Sequence, residues 1–210
     1  MWHPICIAFQ KMSLSKLKMI KFVYFDVGGV VIKDFSQRPE LRRELWGETG
    51  ITEEYWARNC DGKLDLGQIP NNLPVTYSKL LSGFVSSFEK NPSIWPIIES
   101  VKKKAKIGLL TNMYPKMLAS IKKNDLLPSI NWDVTIDSVA EKARKPERKI
   151  FEIAQERSGV KPEEILFVEN TPKNLEAPKM LGWQTFFYDS SNYERSSEQL
   201  KTYFSQIDLF

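Results

Sequence analysis

Asp26 closes an apolar run, KFVYFD, and Val27, Gly28 and Gly29 follow it at once. A carboxylate at the end of a buried-looking segment calls for a use. The glycines behind it let the backbone turn tightly and come close to a ligand. Three further groups share this setting, each at or just beyond an apolar run: Thr111 and Asn112 after AKIGLL, Lys145 within ARKPE, and Glu169 with Asn170 after EILFV. Between them they supply a carboxylate fit to be a nucleophile, a hydroxyl beside an amide, an ammonium and a second carboxylate. Singly, each has an ordinary use: a strand-end carboxylate caps a turn, Thr-Asn caps a following helix, and Lys-Pro leads into a helix N-terminus. The ordered set is what points to chemistry.

What is missing narrows that chemistry. The only histidine of the 210 residues is His3, so Ser–His–Asp hydrolysis, Cys–His proteolysis and His-ligated zinc are all excluded from consideration. Cys6 and Cys60 form neither a disulfide framework nor a metal-ligand pair, which fits a reducing cytoplasm. The net charge is +4, but Lys11, Lys16 and Lys18 lie in an acid-free stretch over residues 1–20. The excess sits in a tail rather than on a face, so nucleic-acid binding is not expected. Lys102 to Lys104 read as the basic end of a helix. The N-terminal apolar run PICIAF is too short for a signal sequence or membrane span, and Met12 and Met19 are alternative starts. Residues 1–19 are therefore expected to be a disordered extension, and no membrane association is expected.

The elements that must position these groups are legible as a rhythm. Short apolar runs occur at 21–27, 105–111, 132–137, 164–169 and 184–189, with helical patterns at 115–124, 147–158, 172–181 and 195–205. Strands alternating with helices, and apolar on both alternations, predict an α/β fold with a doubly wound parallel sheet. Residues 36–90 break the rhythm with several short helical patterns and no clear strand, which predicts a helical lobe inserted after the first strand. Trp46, Tyr55, Trp56, Tyr77 and Phe84 are expected to form its small core. The core domain then comprises 20–35 and 91–210. In such sheets ligands bind beyond the carboxyl ends of the strands, where Asp26, Thr111, Asn112, Glu169 and Asn170 all fall and to which Lys145 is brought by a loop. Asp137 and Ser138 end the third strand and serve as turn or cap residues.

FDVGGV, LLTN, ARKPERKIFE and ILFVENTPKNLEAPKMLGW, in that order, resemble the four motifs of the haloacid dehalogenase-like hydrolases. The last is the most specific: a strand, Glu169, Asn170, Asn174, then a helix into Leu181-Gly182. The resemblance spans 21–35 and 93–190. It implies a Rossmann-like core with a helical cap, whose GKLDLG loop (62–67) faces the substrate. It also implies an aspartyl-phosphate mechanism: Asp26 as nucleophile, Thr111 on the phosphoryl oxygens, and Lys145 holding Asp26 and the transferred group. Gly28, Gly29 and Asn112 would contribute to phosphate and substrate binding. Mg²⁺ would lie on Asp26, the Gly28 carbonyl, Glu169 and Asn170, since a cation relieves the repulsion between Asp26 and Glu169.

Two positions depart from the family pattern. Gly28 stands where most of its phosphatases carry a second aspartate, and Asn170 stands where an aspartate is usual, with Lys173 where another acid often lies. Asp34 and Phe35, at the start of the insertion, could face the substrate. The resemblance implies a Mg²⁺-dependent phosphatase of a small phosphorylated metabolite, with sugar phosphates as one candidate class. A non-catalytic binder of a phosphorylated ligand or partner, and a 2-haloacid dehalogenase, are the alternatives. The sequence does not disclose the oligomeric state.

Overall fold

The computed structural model describes residues 19–34 and 38–210; the expected N-terminal extension and Phe35 lie outside the described residues, apart from Met19. Five strands form one parallel sheet: β1 (Phe22–Phe25), β4 (Lys106–Thr111), β5 (Val134–Asp137), β6 (Ile165–Glu169) and β7 (Gln184–Phe187). Their order across the sheet is β5-β4-β1-β6-β7, so the Asp26 strand is central. β1 pairs with β4 from Phe22↔Lys106 to Phe25↔Leu109, and with β6 from Phe22↔Ile165 to Phe25↔Val168.

Strand geometry sends alternate side chains to opposite faces, and both faces are buried. Val23, Phe25, Ile107, Leu109, Leu166 and Val168 join one apolar cluster; Phe22, Tyr24, Leu110, Ile165 and Phe167 join the other. Helix α7 (Arg148–Ser158) supplies Phe151 and Ala154 to the second cluster. Gly108 explains how Tyr24 fits there. A Cβ at that position would lie 2.6 Å from the Tyr24 ring, whose hydroxyl donates to the Ala154 carbonyl at 2.7 Å.

On the other face, α4 (Trp95–Lys102) and α9 (Tyr193–Gln206) bring Ile97, Ile98, Val101, Leu200 and Phe204. As expected of a basic helix end, Lys102 closes α4. Its ammonium pairs with Asp133, which also accepts from the Ile107 N–H at 2.8 Å. That one carboxylate ties a helix end to the starts of two strands.

Between the first strand and α4 run α1 (Pro39–Thr49), α2 (Glu53–Asn59), a single 3₁₀ turn at Leu64–Leu66 and α3 (Tyr77–Ser86). Thr52 and Thr76 cap α2 and α3 by accepting from Tyr55 N and Lys79 N. The reading that this interval holds no strand is corrected. β2 (Ile32–Lys33) and β3 (Glu89–Lys90) form a two-residue antiparallel ribbon where the helical segment leaves and rejoins the core. Two residues are too few to show a period. The aromatics do cluster. Trp46, Trp56 and Phe84 lie within 4.9–6.0 Å of one another, and Tyr114, beyond β4, joins them at 5.4 Å from Phe84. This group is continuous with the apolar cluster on one face of the sheet. Tyr55 and Tyr77 sit at its edge and hydrogen-bond Asn72 and the Pro115 carbonyl.

Candidate active site

The carboxyl edge of the sheet gathers the expected groups. β1 ends at Phe25, and Asp26 is held at its tip by its own N–H, which donates to the Val168 carbonyl at 3.0 Å. The chain then folds back on itself: Ile32 N–H donates to Val27 O, and Gly29 N–H to Ile32 O. Gly29 sits at φ +78, and a Cβ there would run into the Asn170 amide. The second glycine is thus needed both for backbone conformation and for room.

Lys145 is the centre of the site. Its side chain is 1% exposed, and its ammonium lies 2.9 Å from Asp26 Oδ1 and 2.6 Å from Glu169 Oε2. Burial opposes its charge, but the two carboxylates outweigh burial and hold the ammonium above the usual lysine range. Glu169 is wholly buried. Burial first, and the Asp26 charge second, push its carboxyl upwards against the pull of Lys145. Both Glu169 oxygens are engaged: Oε1 accepts from Thr171 N at 2.8 Å, and Oε2 accepts from Lys145 and from Asn174 Nδ2 at 3.2 Å.

Asp26 is 8% exposed. Its Oδ1 accepts from Val27 N at 2.7 Å as well as from Lys145, so Oδ2 is the oxygen available to a ligand. Thr111, the last residue of β4, lies on the same rim; its hydroxyl makes only a long contact of 3.5 Å to the Asn112 carbonyl. Asn112, which lines the cavity above this rim, is also tied to the lysine. Its side-chain oxygen accepts from Lys145 N at 2.8 Å and its amide donates to Lys145 O at 3.0 Å. It fixes the main chain that delivers the lysine.

Above these groups is a cavity of about 370 Å³. Asp26, Gly28, Asp34, Thr111, Asn112, Lys145, Asn170, Lys173 and Asn174 line it, as do Asp61 and Asp65 from the helical segment and Arg144. Arg144 Nη1 donates to Asp65 Oδ2 at 2.8 Å, and Lys142 Nζ donates to Leu66 O at 3.1 Å, so two cations of one core loop grip the 62–67 loop. Burial raises the Asp65 carboxyl, with Arg144 acting against it. A larger groove of about 520 Å³ along α3 and α5 (Met117–Lys123) has Lys123 as its one ionisable lining residue and no carboxylate. Asp137 and Ser138 are structural. Asp137 caps α6 (Ser138–Glu141) by accepting from Val139 N, and Ser138 Oγ braces the Met113 main chain.

Sequence reasoning did not single out Arg144, Asp61 or Asp65 as site residues. Arg144 immediately precedes Lys145, and that adjacency was the available signal. Cys60, next to Asp61, is buried with a thiol pushed up by that burial, as a structural cysteine would be.

The donor set fits a hard cation that keeps several waters. Asp26, Gly28 and Asn170 all line the cavity and carry oxygen donors of the kind such a cation takes. Asn174 Oδ1, in the cavity wall, is buried without a hydrogen-bond partner, as a group awaiting a water or cation would be. Among the described residues no three His, Cys, Asp or Glu side chains converge, so phosphate oxygens and water must complete such a shell. Glu169, expected as a ligand, accepts hydrogen bonds on both oxygens, from Thr171 N on one and from Lys145 and Asn174 on the other.

Residues 20–182 match the family model of the haloacid dehalogenase-like hydrolases. The Rhythmically expressed gene 2 protein of Drosophila melanogaster is 31% identical over 109 residues, 50% of this chain and 40% of that protein. Among solved structures, a predicted HAD-like family hydrolase from Porphyromonas gingivalis superposes with a TM-score of 0.71 at 24% identity, over 87% of this chain and 98% of the other. A HAD family enzyme from Bacteroides thetaiotaomicron, an Asp-to-Ala mutant in complex with magnesium and inorganic phosphate, gives 0.68 at 19% identity, over 82% and 96%. Among the described residues no helix is long and apolar enough to cross a membrane.

Proposed function

Because the chain belongs to the haloacid dehalogenase-like hydrolases, we propose that it is a Mg²⁺-dependent phosphatase of a small phosphorylated metabolite, working through an aspartyl-phosphate on Asp26. The observation that carries this reading is the row Asp26–Lys145–Glu169, whose first two members line the cavity while Glu169 lies buried behind them. A carboxylate with one oxygen pinned and the other turned to the cavity is a positioned nucleophile.

Asp26 Oδ2 attacks phosphorus, a P–O bond forms, and the ester P–O bond breaks as the leaving oxygen takes up a proton. Water then adds to phosphorus, the Asp26–phosphorus bond breaks, and the water gives up a proton as inorganic phosphate departs. The Thr111 hydroxyl donates to a phosphoryl oxygen, and the Lys145 ammonium offsets charge on Asp26 and the transferred group. Asp26, Asn170 and the Gly28 carbonyl would hold Mg²⁺, which would neutralise charge on the phosphoryl oxygens when bound. The helical segment 39–86 acts as a cap, and its loop carrying Asp61 and Asp65 closes the cavity to all but small esters. The structural likeness to an enzyme crystallised with magnesium and phosphate agrees with this reading at the level of the fold.

Turnover of a phosphomonoester in water enriched in heavy oxygen tests it. The label should enter the released phosphate and leave Asp26 unlabelled. Label in the Asp26 carboxyl group would mean attack at the carboxyl carbon, the outcome for halide displacement, and would overturn the phosphatase mechanism.

A further inference from the structure

We propose that Asp34 is the acid–base group of this site, lent across the turn to the position that Gly28 leaves bare. The inference rests on the phosphatase reading above. An alkoxide leaving group needs a proton and the attacking water must lose one, a task typically worth about 10²–10⁴ in rate. Asp26 is committed as nucleophile, Glu169 is buried with both oxygens engaged, and Asp65 is paired with Arg144.

Asp34 is brought by the turn to the side of Gly28. The turn after β1 folds back through the Gly28↔Ile32 bridge, and the chain leaves β2 at Asp34. Its Oδ2 lies 3.1 Å, and its Cγ 3.9 Å, from where a Cβ on Gly28 would stand. A side chain grown from residue 28 would extend into the space that the Asp34 carboxylate holds, two residues along from the nucleophile. Asp34 also lines the same cavity as Asp26, Thr111 and Lys145. The absence of a side chain at Gly28 is therefore what admits Asp34.

In the first step protonated Asp34 gives its proton to the ester oxygen as the P–O bond breaks. In the second, the Asp34 carboxylate takes a proton from the water that attacks the phosphorus on Asp26, and the starting state returns. A carboxylate introduced at Gly28 alone would meet that of Asp34, so the two positions are alternatives.

The test is a set of initial rates on p-nitrophenyl phosphate, phenyl phosphate and glycerol phosphate, for the wild type, Asp34→Asn, Asp61→Asn and the exchange Gly28→Asp/Asp34→Gly, which clears the space at residue 34 for the new side chain. Asp34→Asn should lose about 10²-fold or more on glycerol phosphate and stay within about threefold on p-nitrophenyl phosphate, whose leaving group needs little protonation. The exchange variant should recover most of the loss. An equal loss on all three esters, or a selective loss in Asp61→Asn in place of Asp34→Asn, overturns the assignment while leaving the phosphatase reading intact. A folded wild type inactive on all three overturns both.

Discussion

Lys145 shows why single residues here cannot be exchanged conservatively. It is a buried cation between two carboxylates, and removing one member of such a group leaves the others uncompensated. Lys145→Met should cost about 3–5 kcal/mol in urea unfolding and abolish turnover; a stability loss near zero would mean that Asp26 and Glu169 do not need it. Asn170 presents the opposite opportunity. Asn170→Asp adds a charge beside Asp26, and the Mg²⁺ concentration giving half-maximal rate should fall by about tenfold, equivalent to roughly 1.4 kcal/mol. An unchanged Mg²⁺ requirement would remove Asn170 from the metal site. At this scale Asp26, Thr111, Lys145 and Glu169 were legible in the sequence because each ends a strand or enters beside one. The double hydrogen bond of Asn112 to Lys145 and the approach of Asp34 to Gly28 were not, since both depend on how loops fold back in space.

Elements were legible wherever a run was long enough to show its pattern. The five sheet strands and the four helical patterns are present, with shifts of a few residues; β1, for example, pairs only over Phe22–Phe25 because Asp26 already begins the turn. The β2–β3 ribbon escaped because two residues carry no periodicity. Tertiary ties between elements were equally hidden, and Asp133 is one that can be measured. Burial works to raise its carboxyl, but Lys102 and the Ile107 N–H outweigh burial and hold it below the usual range. Its folded-state value is thus depressed, so its contribution is present at neutral pH and is lost as pH falls below about 3.9, the ordinary aspartate value. Asp133→Asn should lower stability by about 1 kcal/mol at pH 7, with the difference from wild type shrinking towards pH 2–3. A difference independent of pH would mean that packing, not charge, is lost.

For the whole molecule, the helical segment and the core meet over the cavity through Arg144–Asp65 and Lys142–Leu66 O. If that grip keeps the lid in place, Arg144→Ala should speed amide exchange of the 61–67 loop and raise KM with smaller effect on kcat, because the catalytic row beneath is untouched. Unaltered exchange would separate the ion pair from closure. The claim on which the rest stands is that Asp26 is a phosphoryl-accepting nucleophile aided by Mg²⁺. Hydrolysis of p-nitrophenyl phosphate by wild type and Asp26→Asn, each with and without Mg²⁺, tests it most directly. The account predicts Mg²⁺-dependent turnover in the wild type and none in the variant, with both proteins folded. Turnover in Asp26→Asn near that of the wild type, or none in a folded wild type with Mg²⁺ present, would contradict it.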